Sequence, residues 1–370
     1  MALFIIGGAL LIGYALLIAF YKKWWDRLET YNPAPVLNLQ VKVSIIIAAR
    51  NEAPNLDRLL SSLKAQTYSR HLFEVLLVDD HSTDDTAVLL QNEPFVNCLS
   101  LPEGVTSKKK AIQYGIENAT GEVIVTTDAD CWLPPNWLQT LVQFYVETDA
   151  VFIAAPVRYR YRNKLLDIFQ TLDFLTLQGI TAASVSSGFH TMCNGANLAY
   201  SRQAFLDVNG FEGIDQVASG DDMLLMHKIW KREPQKVFYL KNEAAMVETA
   251  PMPTWKQFFW QRIRWASKTT AYEDKRIFWA LVLVYFFNLL FPVLVIVGFW
   301  HHGYWPFVLL LWLLKTVVEL PFITSVAQFF QQPTLVKYFL FFQPLHILYT
   351  VLIGALSQTG SYQWKGRKTK

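Results

Sequence analysis

The chain has 370 residues, a formal net charge of +3, and a composition that is 52% hydrophobic and 15% aromatic, above the roughly 45–50% apolar share of ordinary soluble domains. That length admits one large domain or two ordinary ones, while the small charge, with its basic residues mostly near apolar segments, excludes a nucleic-acid-tracking surface. Cys98, Cys131 and Cys193 are odd in number, widely separated and without Cys-x-x-Cys spacing, which excludes a disulfide framework or zinc site and leaves three reduced thiols.

The excess apolar residues gather at the two ends. Ala2 to Phe20 is an uncharged run near the ~20 residues that cross a bilayer core as a helix. Tyr21-Lys22-Lys23-Trp24-Trp25 follows it, with rings suited to the interface and lysines that prefer the cytoplasmic side. The charge comes after the apolar run and no small-residue cleavage site follows, so residues 1–29 are expected to be a retained transmembrane anchor and not a signal peptide.

The linker Asn32-Pro33-Ala34-Pro35 then opens a cytoplasmic α/β domain expected over residues 30–270. Val43 to Ala48 has the short, β-branched run of a buried parallel strand. Pro54 to Gln66 fits a helix, with Leu56, Leu59, Leu60 and Leu63 on one stripe. Phe73 to Val78 predicts the next strand, ending in Asp79-Asp80-His81-Ser82. Ser82 with Asp85 three residues on resembles a capping box that opens another helix. Lys108 to Asn118 predicts a helix ended near Gly121, and Val123 to Thr127 a strand ending in Asp128-Ala129-Asp130. Further on, Met223 to Trp230 is helix-like and Trp255 to Trp265 has the pattern of an amphipathic interfacial helix rich in Trp and Arg.

Three more apolar stretches follow, about Phe278 to Trp300, Tyr304 to Val326 and Tyr338 to Leu356, in a membrane region expected over residues 271–370. Lys275 and Arg276 have the first of these entering from the cytoplasm. Lys315 and Glu319, one turn apart in the second, are expected to pair or to face protein, because an isolated charge at the bilayer centre costs on the order of 3 kcal/mol; a role in moving a substrate is the other reading. Three crossings would leave the basic tail Trp364-Lys365-Gly366-Arg367-Lys368 outside, against the positive-inside tendency. The alternative is that one segment turns back, with Pro321 and Pro344 as the interruptions, and the crossing number stays open.

Acids directly after two parallel strands are informative, because ligands of open α/β sheets bind outside the carboxyl ends of the strands. Asp79-Asp80 could equally be turn formers. Asp128-Ala129-Asp130 is a costly turn unless a cation offsets the repulsion, and Mg²⁺ or Mn²⁺ would take these carboxylates and fill its other positions with phosphate oxygens. No phosphate-binding glycine loop follows the first strand, which runs instead into Ala49-Arg50-Asn51-Glu52; this excludes a P-loop NTPase and a dinucleotide dehydrogenase.

Five passages together resemble the inverting glycosyltransferase family 2: Val43 to Ile47 with Arg50-Asn51-Glu52, Val78 to Thr86, Asp128-Ala129-Asp130, Gly220-Asp221-Asp222, and Gln261-Arg262-Ile263-Arg264-Trp265. They occur in family order over roughly residues 40 to 270. The resemblance implies a GT-A (Rossmann-like) α/β catalytic domain, with transmembrane helices at both ends, that uses a nucleotide diphosphate sugar such as a UDP-sugar. It further implies that Glu52 and Asp79, with Asp80 beside them, contact the donor's ribose and base. Lys108 falls where relatives have a nucleotide-proximal lysine, unless it is only a solvated helix start. Asp128 and Asp130 would hold the metal against the diphosphate, Asp130 more directly. Asp222, beside Asp221, would be the general base that removes the acceptor hydroxyl's proton, or a helix cap, and the two do not exclude each other. Arg264 would stabilise the leaving diphosphate, Trp265 stack on a sugar ring, and Gln261 hydrogen-bond nearby. Asn194 and Gly195, in Met192-Cys193-Asn194-Gly195-Ala196-Asn197, lie where relatives bind the acceptor. The closing Trp364-Lys365-Gly366-Arg367 also resembles the tail of membrane-bound members.

Gln-x-x-Arg-Trp occurs both in processive synthases of cellulose, chitin and hyaluronan and in enzymes that glycosylate a lipid once. Gly220-Asp221-Asp222 in place of Thr-Glu-Asp, and only about three helices after the domain, favour a lipid acceptor over a glycan polymer. An inactive membrane scaffold is the alternative of a different class, disfavoured by the intact acids, and a transporter would call for helix repeats that the sequence lacks. The expected setting is the inner (plasma) membrane, multi-pass, with the bilayer, a nucleotide sugar and the acceptor as partners; the sugar and the oligomeric state are not written in these motifs.

Overall fold

A computed structural model of the chain describes residues 1–34, 39–215, 220–267 and 273–357, and the backbone of 362–364 and 367–369. The chain begins with helix α1 (Ala2–Arg27) and then alternates through β1 (Val43–Ala49), α2 (Ala53–Lys64), β2 (Phe73–Asp79), α3 (Thr86–Gln91), β3 (Asn97–Ser100), α4 (Lys108–Glu117) and β4 (Val123–Thr126). Val43, Ile45, Ile46 and Ile47 are buried on both faces of β1, as a central strand covered by helices requires. β1 pairs in parallel with β2 and β4, and β2 with β3.

The second half supplies α5 (Trp137–Thr148), β5 (Phe152–Ala154), β6 (Val157–Tyr159), α6 (Leu165–Ser187), β7 (Leu198–Ser201), α7 (Arg202–Asp207), α8 (Met223–Arg232), β8 (Val237–Tyr239) and β9 (Val247–Thr249). The main sheet has seven strands in the order β3-β2-β1-β4-β7-β5-β8. β7 runs antiparallel to β4 and β5, so the sheet is mixed. Ala49 pairs with Asp79 and Ile46 with Thr126, which brings the carboxyl ends of β1, β2 and β4 to one edge.

One expected cap is corrected. Ser82 does not open α3, which starts at Thr86 after Asp85. Asn51 and His81 both take left-handed conformations (φ 53° each), and the loops they turn clasp each other: Ser82 Oγ accepts from Asn51 N at 2.9 Å and Thr83 N donates to Asn51 Oδ1 at 2.8 Å. Asp84 accepts instead from Thr86 N and Ala53 N, tying the starts of α2 and α3 together.

The remaining elements are α9 (Trp255–Ala266), α10 (Lys275–Trp300), α11 (Trp305–Phe329), α12 (Phe339–Leu356) and a hairpin of β10 (Tyr362–Trp364) and β11 (Arg367–Thr369). Among the described residues, four helical segments are long and apolar enough to cross a membrane: Ala2–Arg27, Lys275–Trp300, His302–Phe329 and Pro333–Leu356. α1 and α11 run the full depth of the bundle. Phe4 stacks on Tyr304 at the far end (4.9 Å), and Trp25 packs on Phe329 (5.6 Å) at the end beside the sheet domain.

α12 differs from these. The segment leading into it is fastened to the domain, with Gln332 donating to Tyr159 O at 2.9 Å and Leu335 buried with Leu166 and Phe169. Phe342, Tyr349 and Ile353 then pack with α6 and α9, and the β10–β11 hairpin beyond α12 lies against α9. Both flanks of α12 therefore lie on the domain side. Inside the bundle, Lys315 Nζ donates to Glu319 Oε1 and to Gln343 Oε1, each at 2.7 Å, and Tyr14 and Gln343 also bond Glu319, so the two charges are paired as expected.

α6 joins the two halves. It is buried almost all round, so its sequence shows no amphipathic stripe. A Cβ on Gly179 would lie 2.5 Å from Val326 Cγ2, and only glycine lets α6 approach α11 this closely. Side chains of α1, α6, α11 and one sheet face merge into a single core.

Candidate active site

The sheet edge supplies the first group of site residues. Arg50 donates to the backbone oxygens of Asp80 and His81, stapling the ends of β1 and β2 together. Glu52 accepts from Asn55 Nδ2 at 2.6 Å, and its backbone N–H donates to Thr86 Oγ1 at 2.8 Å. Glu52 and Asp80 line the large cavity of the molecule; Asp79, the last residue of β2, does not. Its carboxylate turns back to accept from Ser82 N. Of the three acids expected around the nucleotide, two face the cavity and Asp79 holds the loop.

The second group surrounds Lys108, at the start of α4. Its ammonium lies 2.6 Å from Asp128 Oδ1 and 3.2 Å from Asp221 Oδ2. Burial works against this charge, but Asp128, Asp221 and Asp222 together outweigh it and hold the Lys108 pKa above the ordinary lysine range. Asp222 precedes α8, where Oδ1 accepts from Met223 N at 2.7 Å and Oδ2 from Gly195 N at 3.1 Å. It is thus the helix cap, and it also ties α8 to the Asn194-Gly195 loop. A Cβ on Gly195 would lie 3.2 Å from Lys108 Nζ and 3.3 Å from Asp221 Oδ2, so the loop backbone presses directly on this cluster.

The third group comes from α9, and here two neighbouring arginines separate. Arg262 is 2% exposed, 2.8 Å from Asp173 on α6, with its guanidinium over the rings of Trp265 (4.2 Å) and Phe258 (4.9 Å). This pair fixes the rotation of α9. Gln261, Arg264 and Trp265 consequently line the cavity, and the Arg264 guanidinium has no ion-pair partner among the described residues. Trp265 is braced by Phe174 (6.2 Å), and Tyr159 Oη donates to Gln261 Oε1 at 3.4 Å.

All three groups open into one cavity of about 910 Å³. Asp128, Asp130, Lys108, Asp221, Asp222, Asn194, Gly195 and Arg264 line one part of it; Tyr14, Tyr285, Phe322, Glu319 and Ile353 line another, between the bundle helices. Asp173, Arg262, His190 and His346 also border it and were not singled out by sequence. Arg262 sits inside the Gln261-x-x-Arg264 pattern, but nothing local announces that its partner is Asp173.

Among the described residues, no group of three or more His, Cys, Asp or Glu is arranged to hold a metal by itself. The donor set fits a divalent ion all the same: Asp128 already faces a cation, the Lys108 ammonium, and Asp130 lines the same wall. Two carboxylates with phosphate oxygens completing the shell suit Mg²⁺ or Mn²⁺.

The mixed Rossmann-like α/β sheet with acids at its carboxyl edge has the fold of GT-A glycosyltransferases, and this chain adds apolar helices at both ends. The mannosyltransferase PcManGT of Pyrobaculum calidifontis, solved with GDP-Man and Mn²⁺, shares it with a TM-score of 0.60 at 19% identity, over 96% of this chain and 98% of that one. Residues 44–208 match the model of Glycosyl transferase family 2. It is 31% identical over 124 residues to the glycosyltransferase AglE of Haloferax volcanii, covering 33% of this chain and 41% of that protein. It is 37% identical over 107 residues to the undecaprenyl-phosphate 4-deoxy-4-formamido-L-arabinose transferase of Pseudomonas savastanoi pv. phaseolicola, covering 27% and 31%. A glucosyl-dolichyl phosphate glucuronosyltransferase of Haloferax volcanii is 24% identical over 219 residues, 55% of this chain and 67% of that protein. The matches to the first two span less than half the length of those relatives.

Proposed function

We propose that the protein is an inverting glycosyltransferase that moves a sugar from a nucleotide diphosphate donor, such as a UDP-sugar, onto a hydroxyl of a membrane lipid at the cytoplasmic face of the inner membrane. The observation that carries this reading is the single cavity: the acids and Arg264 border one part of it, and side chains of the apolar helices border the rest. A water-soluble donor and an apolar acceptor can meet in such a space. Two of the relatives carry lipid phosphates in their names, which supports a lipid acceptor in general.

In this reading Glu52 and Asp80 bind the nucleotide, and Asp128 and Asp130 hold Mg²⁺ or Mn²⁺. The bound ion supplies positive charge to the diphosphate. Lys108 and Arg264 approach the same oxygens, and Arg264 gains most as negative charge develops on the leaving group. Gln261 and Trp265 orient the donor sugar and the acceptor. Asp222, held by the N–H groups of Met223 and Gly195, removes the acceptor proton as its oxygen attacks the anomeric carbon from the side opposite the diphosphate. α1, α10 and α11 cross the membrane, and α12 turns back, which leaves the basic tail on the domain's side and agrees with the positive-inside tendency.

The test is incubation of membranes containing the protein with a panel of labelled nucleotide sugars. Label in an organic-extractable lipid, lost in Asp222→Asn, is the expected result. Label in an insoluble polymer would replace single transfer by processive synthesis, and metal-independent silence with every donor would leave only a scaffold.

A further inference from the structure

α12 carries a histidine that the reaction above does not use. His346 borders the same cavity as Asp222 and Arg264, and 30% of its side chain is exposed. Its Nε2 lies 3.7 Å from Asp173 Oδ1, and Asp173 is itself held by the buried Arg262. Asp173 thus faces the ring from α6 at more than hydrogen-bond distance, and neither ring nitrogen makes a hydrogen bond among the described residues. Because Phe342, Tyr349 and Ile353 pack along α6 and α9, His346 lies beside the domain and not in the far half of the bundle.

The surroundings select among acceptors. An unbroken hydrocarbon chain would leave the imidazole nitrogen without a partner, at a cost of about 1–3 kcal/mol. A phosphate would need an uncommitted cation beside the ring, and the carboxylates on this wall, Asp173 and Glu319, already hold the nearby ones, Arg262 and Lys315. A neutral hydrogen-bonding group meets neither penalty.

We propose that His346, beside Asp173, hydrogen-bonds a neutral polar group of the acceptor, so that the acceptor is a lipid bearing an amide or second hydroxyl in addition to the hydroxyl that receives the sugar. This rests on the lipid-acceptor reading and names the chemical class within it.

The experiment uses the full-length protein in detergent with a panel of labelled nucleotide sugars, carried forward with whichever one labels a lipid, and three acceptors: an N-acyl amino alcohol, a plain long-chain alcohol of matched length, and a polyprenyl phosphate. The wild-type protein is expected to favour the amide lipid over the plain alcohol by about tenfold in kcat/KM. His346→Ala should raise KM for the amide lipid about tenfold, bring it level with the plain alcohol, and leave the donor KM within twofold; His346→Gln, which keeps a hydrogen-bonding group, should recover most of the preference. Equal losses on both neutral lipids, or polyprenyl phosphate as the best acceptor, would overturn the assignment of His346 while leaving a lipid glycosyltransferase. No label in any lipid would remove the underlying reading together with it.

Discussion

The ammonium of Lys108 stands between two acids from distant parts of the chain, 2.6 Å from Asp128 and 3.2 Å from Asp221. Its charge holds the end of β4 to the loop before α8, and in the proposed reaction it approaches the diphosphate. A charge-assisted hydrogen bond is worth about 1.5–3 kcal/mol, so Lys108→Ala is expected to lower kcat/KM for the donor roughly 10- to 100-fold. Lys108→Arg should recover part of this, and steady-state kinetics with varied donor reads both.

The neighbouring arginines of α9 should separate in opposite directions. If Arg264 stabilises the leaving group as proposed, turnover of Arg264→Ala is expected to fall about 10²- to 10³-fold with an unchanged melting temperature. Arg262→Ala strands the Asp173 carboxylate, and breaking a buried pair on one side costs about 3–5 kcal/mol. Thermal unfolding in detergent should therefore fall sharply for Arg262→Ala alone.

His190 makes stability depend on pH. Burial pushes its pKa down from 6.5 to about 4, while Nε2 lies 3.1 Å from both Tyr21 Oη and Ser184 Oγ. Between those two values the unfolded chain binds a proton that the folded one refuses, so stability is full above pH 6.5 and declines as pH falls towards 4. A shift of this size corresponds to about 3 kcal/mol. Melting curves at pH 7 and pH 4.5 should show a larger drop for wild type than for His190→Gln, which does not titrate.

If α12 turns back, a reporter fused after the tail and one inserted near Gly104, on the surface of the domain, must lie on the same side of the membrane. Protease protection of sealed vesicles reads this directly. Opposite sides would require α12 to cross, which the contact of the β10–β11 hairpin with α9 opposes.

Strands β1, β2 and β4 were legible because buried parallel strands are runs of β-branched residues, and the acids at their ends follow from where such sheets bind ligands. The four helices long and apolar enough to cross a membrane were legible by length and hydropathy alone. α6 was not: a helix buried on every side has no polar face to set a period, and Asp173, Gln178 and Thr181 within it look like ordinary interruptions. The family resemblance put Asp79 at the nucleotide with Asp80 beside it; only the fold turned Asp79 towards a loop N–H and Asp80 towards the cavity.

The amino-acid order alone determined the class of sheet, the acids at its edge, the Gln261–Trp265 pattern and the apolar segments, because each depends on local periodicity or on residues close in the chain. Tertiary structure decided which arginine of α9 is buried, that Lys108 joins Asp128 to Asp221, that α12 returns to the domain, and that His346 borders the cavity beside Asp173. Each of these depends on long-range packing between elements far apart in sequence, where the energy lies in the pairing of groups and not in the residues taken singly.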